Sequence, residues 1–357
     1  MAMKLAQSLH APMPSWVVLQ LIEECNLRCV MCYEWGETGV YHDRRSATLD
    51  LDVALRVIRD CLPTRPYFEL FGGEPLLYPG IWQVISAIRG GGSELAFPTN
   101  GTLVEEHADA IVAHRPNRVW ISLDGPREVN DAQRGNGVFK RAMRGLDALV
   151  AAKRRHSTDL PVIGITCVVT PGNHLHIEEL FLKALDLSHI GLVSVELQSY
   201  ATEAQYRQYA RLLRDELGVP TAPYARAYVR DPLLFAAMDR AAISRQLVRV
   251  QAACAERGIR FFSQPKHIDA DNIDRYLGAR WAEMTDRRSR CAVPWMYAEV
   301  SARGDVTTCH TFYDAPIGNV YQQPLMDIWS GERAATLRAQ LRKGLLPICT
   351  ACCRYYQ

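Results

Sequence analysis

No run in this sequence approaches the roughly 18 consecutive apolar residues of a membrane-spanning helix. The stretch from Met1 to Pro14 is interrupted by Lys4, Gln7, His10 and two prolines, so it offers no secretory apolar region either. A cytoplasmic chain without a membrane partner is expected. Net charge is also nearly absent: 41 Lys and Arg stand against 39 Asp and Glu, leaving +2. Such a balance creates no long-range field to recruit nucleic acid or anionic lipid. The ten histidines form no HxxxH or HExxH pair, which removes the usual signature of a separate mononuclear metal site. There is no internal repeat and no low-complexity segment. What remains, 357 residues that are 48% hydrophobic and 22% charged, must fold around a real core. That length suits two domains, or one large α/β unit with an appendage.

Cysteine is the one residue in excess. There are 11, an odd number. Cys25, Cys29 and Cys32 bunch near the start, and Cys291, Cys309, Cys349, Cys352 and Cys353 near the end. Disulfide frameworks belong to small secreted domains; in a long chain without an export signal, bunched cysteines point to metal.

Between Trp16 and Leu217 short β-branched runs alternate with amphipathic stretches. Strands are expected at Trp16–Ile22, Tyr67–Phe71, Glu94–Phe97, Arg118–Leu123, Val162–Val169 and Leu192–Leu197. Helices are expected at Leu51–Cys61, Ile81–Arg89, Leu103–His114, Val138–Arg154, Ile177–Leu187 and Glu203–Leu217. Six strand-then-helix units imply an α/β fold with a parallel sheet, and right-handed crossovers bring every strand's carboxyl end to one rim. Six fall short of the eight of a closed barrel, so a partial barrel with an open side is expected. A long helix from Leu233 to about Arg257 and a strand at Ile259–Ser263 then read as a bridging segment over 221–290. The last 67 residues, 291–357, are too few to bury much core unaided, and a metal would supply the missing stability. The chain thus divides into a core at 1–220, a bridge at 221–290 and a small metal domain at 291–357.

The run Cys25-Asn-Leu-Arg-Cys29-Val-Met-Cys32 follows the first strand directly. Three thiolates in one loop hold three irons of a [4Fe-4S] cube, which normally takes Cys₄ ligation, and no fourth cysteine lies nearby. One iron is left open, the logic of catalytic metal sites that keep a position for substrate. CNLRCVMC, with Met31 before its last cysteine and Tyr33 after it, resembles the CxxxCxφC signature of the radical S-adenosylmethionine (SAM) enzymes. The resemblance implies a (β/α)6 partial TIM barrel, in agreement with the six units counted above. It also implies that the open iron chelates SAM, which is cleaved to methionine and a 5′-deoxyadenosyl radical.

Further matches fall at strand ends. Gly72-Gly73-Glu74-Pro75 resembles the family's GGEP motif, whose backbone meets the amino group of SAM; two adjacent glycines equally suit a tight loop. Asn100 in Thr99-Asn-Gly101 and Ser122 and Asp124 in Ser122-Leu-Asp124-Gly125 resemble rim residues of the SAM pocket. Asn-Gly and Asp-Gly are also turn dipeptides. Arg134, in Asp131-Ala-Gln-Arg-Gly135, resembles the arginine that reaches the SAM carboxylate in relatives with auxiliary clusters. Asn173 and Gln198, after the fifth and sixth strands, are candidate ribose or adenine contacts.

At the other end, Cys291, Cys309, Cys349 and Cys352 form two distant pairs that close one complete site, zinc or a fully ligated [4Fe-4S] cluster. The flanking text, Cys291-Ala-Val-Pro-Trp295 and Gly304-Asp-Val-Thr-Thr-Cys309, resembles the SPASM/twitch extension of radical SAM enzymes. Only five cysteines are present where a full SPASM domain uses seven, which favours the twitch form with one auxiliary cluster, hence two [4Fe-4S] clusters and SAM as cofactors. Cys353 is an alternative to Cys352. A closed cluster has no iron for substrate; it serves as electron conduit or as a staple for the domain.

The expected activity is that of a radical SAM oxidoreductase, with flavodoxin or ferredoxin as electron donor. Its substrate is expected to be a small natural-product metabolite such as a sugar, aminocyclitol or nucleoside, dehydrogenated or epimerised. The alternative is a ribosomal precursor peptide. Only 15 residues precede Trp16, too few for a leader-binding module. A non-enzymatic zinc or iron-sulfur scaffold is the remaining alternative. Cys167, on the fifth strand, would donate a hydrogen atom in an epimerisation if its face lined the barrel; its apolar neighbours make it instead a small buried hydrophobe.

Overall fold

The computed structural model describes residues 13–309, 313–352, 355 and 356. The strands are β1 (Trp16–Ile22), β2 (Tyr67–Gly72), β3 (Leu95–Thr99), β4 (Arg118–Ser122), β5 (Val162–Val169), β6 (Leu192–Leu197), β7 (Arg260–Gln264), β8 (Tyr297–Val300), β9 (Asp305–Thr307) and β10 (Gly318–Asn319). They form one sheet in the order β10-β9-β8-β1-β2-β3-β4-β5-β6-β7. All pairs from β8 through β7 are parallel, and β8-β9-β10 closes that edge as an antiparallel meander. The architecture is a mixed α/β partial barrel.

Alternation along each strand sorts the side chains. Val17, Leu19 and Leu21 of β1, Phe68 and Leu70 of β2, and Ile163, Ile165, Cys167 and Val169 of β5 face the apolar core. The helices answer with a matching stripe: Val53, Ala54, Val57, Ile58 and Cys61 of Leu51–Cys61 are all buried. The opposite, concave face carries polar and aromatic residues. Register aligns Ser122 with Thr166 and Thr166 with Ser194 in one row, and Trp120 with Gly164 in the row below.

The sheet takes in more than the six expected strands, and two expected helices change. The bridging segment is part of the sheet, because β7 pairs with β6 in parallel, Leu192 opposite Arg260. β8 of the small C-terminal region likewise pairs with β1 through Trp16 and Tyr297. The long helix from Leu233 is really a 3₁₀ turn at Pro232–Phe235 followed by a helix at Arg240–Glu256; Asp239, accepting from the Ala242 amide, starts the helix anew. The helix expected at Ile177–Leu187 is one α-turn, Ile177–Glu179, running into a π-helical turn, Leu180–Ala184. Asp186 accepts from the Ser188 amide and begins the next turn.

Cys167 is fully buried among core residues. That corrects the hydrogen-donor option, because its face is the one the helices cover.

Candidate functional site

The three clustered cysteines sit at the carboxyl rim, in the loop that leaves β1. Local hydrogen bonds shape that loop: the Cys32 amide donates to the Cys29 carbonyl at 3.1 Å, and the Gly36 amide to the Cys32 carbonyl at 3.0 Å. Two backbone N–H groups point at sulfur, Leu27 to Cys25 Sγ at 3.5 Å and Trp35 to Cys32 Sγ at 3.3 Å. The thiols lie within electrostatic reach of one another. Burial pushes Cys25 up to about 12 and Cys32 up to about 11, so without cations all three stay protonated. Iron reverses that preference, since a coordinating thiol is deprotonated outright. Amide donors aimed at sulfur suit thiolates that carry a cluster, and in this respect the residues fit the group.

The glycine pair after β2 is demanded by the close approach of this loop. A Cβ on Gly72 would lie 2.2 Å from the Ile22 carbonyl oxygen, and one on Gly73 2.1 Å from that of Glu24. The amides of Gly73 and Glu74 donate to Ile22 and Glu24 at 2.8 and 2.9 Å. Pro75 opens the 3₁₀ turn that follows. The Glu74 carboxyl is a brace: it accepts from the Leu76 amide at 3.2 Å, the Thr99 hydroxyl at 2.8 Å and the Asn100 amide at 2.8 Å. Burial, stronger than these three donors, raises it to about 7. Asn100 donates to the side-chain oxygen of Asn26, inside the cysteine loop, at 2.8 Å. The ends of β2 and β3 are thereby fastened to the cysteine loop.

Asp124 and Arg134 form a buried ion pair, Nε to Oδ2 at 2.6 Å. Ser122 is half-buried on the concave face one position before the β4 end turn. Asn173 does not keep a free amide for a ligand: its Nδ2 donates to the carbonyls of Asp124 and Val168 at 2.6 and 2.8 Å, and its Oδ1 accepts from the Thr170 amide at 2.7 Å. Its amide is taken up in tying the β4 and β5 ends together. The Gln198 amide continues the sheet by donating to Val169. Tyr33 donates its hydroxyl to the Ser199 carbonyl and stacks on Tyr228 with centroids 4.0 Å apart.

At the other end, Cys309 and Cys352 are buried, Cys291 and Cys349 half-buried. Cys349 and Cys352 share one turn, the Cys352 amide donating to the Cys349 carbonyl at 3.1 Å. The Cys349 thiol feels both Cys352 and Cys291 and is raised mainly by burial; Tyr209 lies within reach of Cys309 and Cys349. Cys353 lies outside the described residues. Among the described residues no three His, Cys, Asp or Glu side chains close around a single ion, while a cube spreads its thiolates over separate irons.

Sequence reasoning missed the junction between the two ends. Glu23, at the carboxyl end of β1 and 1% exposed, accepts from Arg44 at 2.9 Å, from Arg303 at 2.9 and 2.8 Å, and from the Ala47 amide at 2.9 Å. Glu299 of β8, equally buried, takes hydroxyl hydrogens from Tyr297 and Tyr313, and Gln20 of β1 donates to Tyr313. The only signal was a pair of carboxylates, Glu23 and Glu24, placed directly before the cysteine triplet. Its partners lie too far along the chain for spacing to reveal.

Comparison with known proteins agrees with this arrangement. The family described as the radical SAM superfamily matches residues 19–184, and the iron-sulfur cluster-binding domain SPASM matches residues 291–353. The cofactor-modifying protein of tungsten-containing aldehyde ferredoxin oxidoreductase from Pyrococcus furiosus is 22% identical over 94% of this chain and 86% of its own length. Mycofactocin maturase MftC of Mycobacterium tuberculosis is 30% identical, over 46% of this chain and 40% of that protein. Among solved structures, SuiB of Streptococcus suis bound to S-adenosylmethionine superposes with a TM-score of 0.63 at 17% identity, over 92% of this chain and 68% of that one. SuiB bound to its precursor peptide SuiA gives 0.61 at 16% identity, over 90% and 65%. These structures share the fold, and this chain spans about two thirds of SuiB. Among the described residues no helix is long and apolar enough to cross a membrane. With one profile over the barrel and its cysteine loop and the other over the second cysteine set, the chain belongs to the radical SAM superfamily, as an enzyme using SAM and iron-sulfur clusters, with a C-terminal SPASM domain.

Proposed function

We propose that the chain is a radical SAM oxidoreductase acting on a small polar metabolite that carries a ring, such as a sugar, aminocyclitol or nucleoside. Cys25, Cys29 and Cys32 would hold the SAM-binding cluster, with Gly72, Gly73, Glu74, Pro75, Asn100, Ser122 and Asp124 shaping the SAM side of the rim and Tyr33 and Gln198 flanking it. Cys291, Cys309, Cys349 and Cys352 would hold one auxiliary [4Fe-4S] cluster. Bound together, cluster and SAM supply a 5′-deoxyadenosyl radical that removes a substrate hydrogen atom. The protein's part is to place one C–H bond and exclude water. A second, fully ligated cluster is suited to accept the electron that an oxidation releases. A flavodoxin or ferredoxin would supply the first electron.

The concave face carries the substrate reading. The Trp120 ring lies over Gly164, where a Cβ would come within 2.4 Å of it, and Phe262 stands beside it, ring centroids 6.5 Å apart, still 47% exposed. The next row presents the hydroxyls of Ser122, Thr166 and Ser194, and Glu196 accepts from Ser194 at 3.1 Å. Trp120 one row below a line of hydroxyls, with Phe262 ending that line opposite Ser194, matches the apolar face and polar edge of a hydroxylated ring. The second reading, maturation of a ribosomal precursor peptide, is favoured by likeness to a maturase and to a fold solved with its precursor peptide. Reconstituted protein incubated with SAM and reductant, and offered hydroxylated ring compounds and precursor-type peptides in parallel, separates them. Substrate-dependent 5′-deoxyadenosine with a ring compound oxidised by two electrons supports the proposal; turnover of peptide alone rejects it.

A further inference from the structure

Thr350 stands between Cys349 and Cys352, and two residues from outside that turn hold it. Gln205 Nε2 donates to its hydroxyl oxygen at 2.7 Å, across 145 positions of chain. The Tyr356 hydroxyl donates to its carbonyl at 2.9 Å. The Thr350 hydroxyl donates in turn to the Pro347 carbonyl at 3.3 Å, at the start of the 3₁₀ turn Pro347–Ala351. A single turn of this kind has little stability of its own, so its placement comes from what grips Thr350.

Both grips lead back to the end of β6. Gln205 is the third residue of the helix Glu203–Leu217. Its Oε1 accepts the Thr202 amide at 2.9 Å and its own amide donates to the Thr202 hydroxyl at 3.3 Å, the reciprocal pair that starts the helix. That pair fixes the side chain, and Nε2 is spent on Thr350. Tyr356 is fully buried and meets Tyr276 edge-on, with ring centroids 5.0 Å apart. Tyr276 donates to the carbonyls of Leu197 and Gln198, each at 3.4 Å. Cys291 and Cys309 instead flank β8 and β9, and the sheet order puts β8 and β6 toward opposite ends. The two halves of the second cysteine set are therefore held by two different ends of one sheet.

We infer that Gln205 and Tyr356 are positioning residues for the auxiliary cluster: acting through Thr350, they hold the Cys349–Cys352 turn where it meets Cys291 and Cys309. A residue of a barrel helix, far outside the C-terminal region, thus governs how firmly that region keeps its cluster.

The inference rests on Cys291, Cys309, Cys349 and Cys352 holding an iron-sulfur cluster. Reconstituted full-length protein is exposed to a ferrous chelator, and iron release is followed together with the electron paramagnetic resonance signal that added SAM leaves unmoved. Thr350→Val, which keeps the side chain's shape without its hydroxyl, is expected to speed loss of that signal about ten-fold. Thr350→Ser restores the hydroxyl and is expected to stay within about two-fold of the unaltered protein. Gln205→Ala is expected to match Thr350→Val, and the double variant to be no worse than either, because all three lose one and the same hydrogen bond. Tyr356→Phe removes the other grip and is expected to add its own increment to Thr350→Val. In every variant the SAM-perturbed signal is expected to decay at its usual rate. If Thr350→Val assembles no second cluster at all, Thr350→Ser must still hold it. Equal acceleration at both clusters, as a general weakening of the fold would give, overturns the inference. So do simply additive effects of Gln205→Ala and Thr350→Val, or variants that keep the cluster as long as the unaltered protein does. Failure of the underlying cluster assignment would look different, since the unaltered protein would then show the SAM-perturbed signal alone.

Discussion

At the residue scale, the loop leaving β1 depends on positions that tolerate nothing larger. Gly73→Ala puts a methyl 2.1 Å from a backbone oxygen, and backbone does not yield as a flexible side chain does. The expected cost is roughly 1–3 kcal/mol, read as a lower thermal midpoint together with loss of bound iron, because the displaced Glu24 lies next to Cys25. Unchanged iron content would mean that the thiols are placed independently of the glycine pair. The triple replacement of Cys25, Cys29 and Cys32 by Ala is expected to remove half of the roughly eight irons that two cubes imply and to abolish SAM cleavage, while leaving the fold in place. These residues were readable because spacing alone defines them. The role of Asn173 in closing the loop after β5 was not readable, because a strand-end position is shared by ligand contacts and by residues that tie loops, and only the structure shows its three hydrogen bonds.

At the scale of elements, strands β1, β5 and β6 and the helix Leu51–Cys61 have the limits that their hydrophobic periodicity predicts. What periodicity does not carry is which strands become neighbours. β7 reads as an isolated run, and its pairing with β6 follows from topology. Connections between distant elements are equally hidden, and two of them are testable. Arg303, in the turn between β8 and β9, grips Glu23 at the end of β1 with two hydrogen bonds. Arg303→Met leaves that buried carboxylate with Arg44 and one amide, at an expected cost of roughly 1–3 kcal/mol, seen as a lower unfolding midpoint that Glu23→Gln partly restores. Asp314 accepts from the amides of Tyr224 and Ala225 at 2.8 and 2.9 Å, starting the short helix Pro223–Ala227. Burial outweighs these donors and raises its carboxyl to about 6. Because the folded value lies above the unfolded one, the native state holds the extra proton, and this group's contribution to stability falls as pH rises from about 4 to about 6. Subtracting the unfolding midpoint of Asp314→Asn from that of the unaltered protein isolates the effect. The difference should decline across that window and level off above it; a rising difference would show that the two amides dominate.

At the scale of the whole molecule, the second cysteine set is built into the sheet of the first. β8 lies between Cys291 and Cys309 in sequence and pairs with β1, the strand that delivers Cys25, through four residue pairs from Trp16–Tyr297 to Leu19–Val300. Glu23 with Arg303, and Gln20 with Tyr313 and Glu299, join the same two regions by side chains. A small metal domain on a flexible tether would unfold by itself when its metal is lost, since metal binding and folding are coupled. Here loss of order at 291–352 exposes the edge of β1 and leaves Glu23 short of its partners, so the damage spreads into the barrel. Replacing Cys291 and Cys309 by Ala is therefore expected to do more than halve the iron. Unfolding should remain a single transition with its midpoint lowered, and amide exchange in β1 should quicken along with that in β8. Two separate transitions, with β1 as protected as before, would show that the barrel stands without its C-terminal partner and that the shared sheet contributes little to holding the first cysteine loop in place.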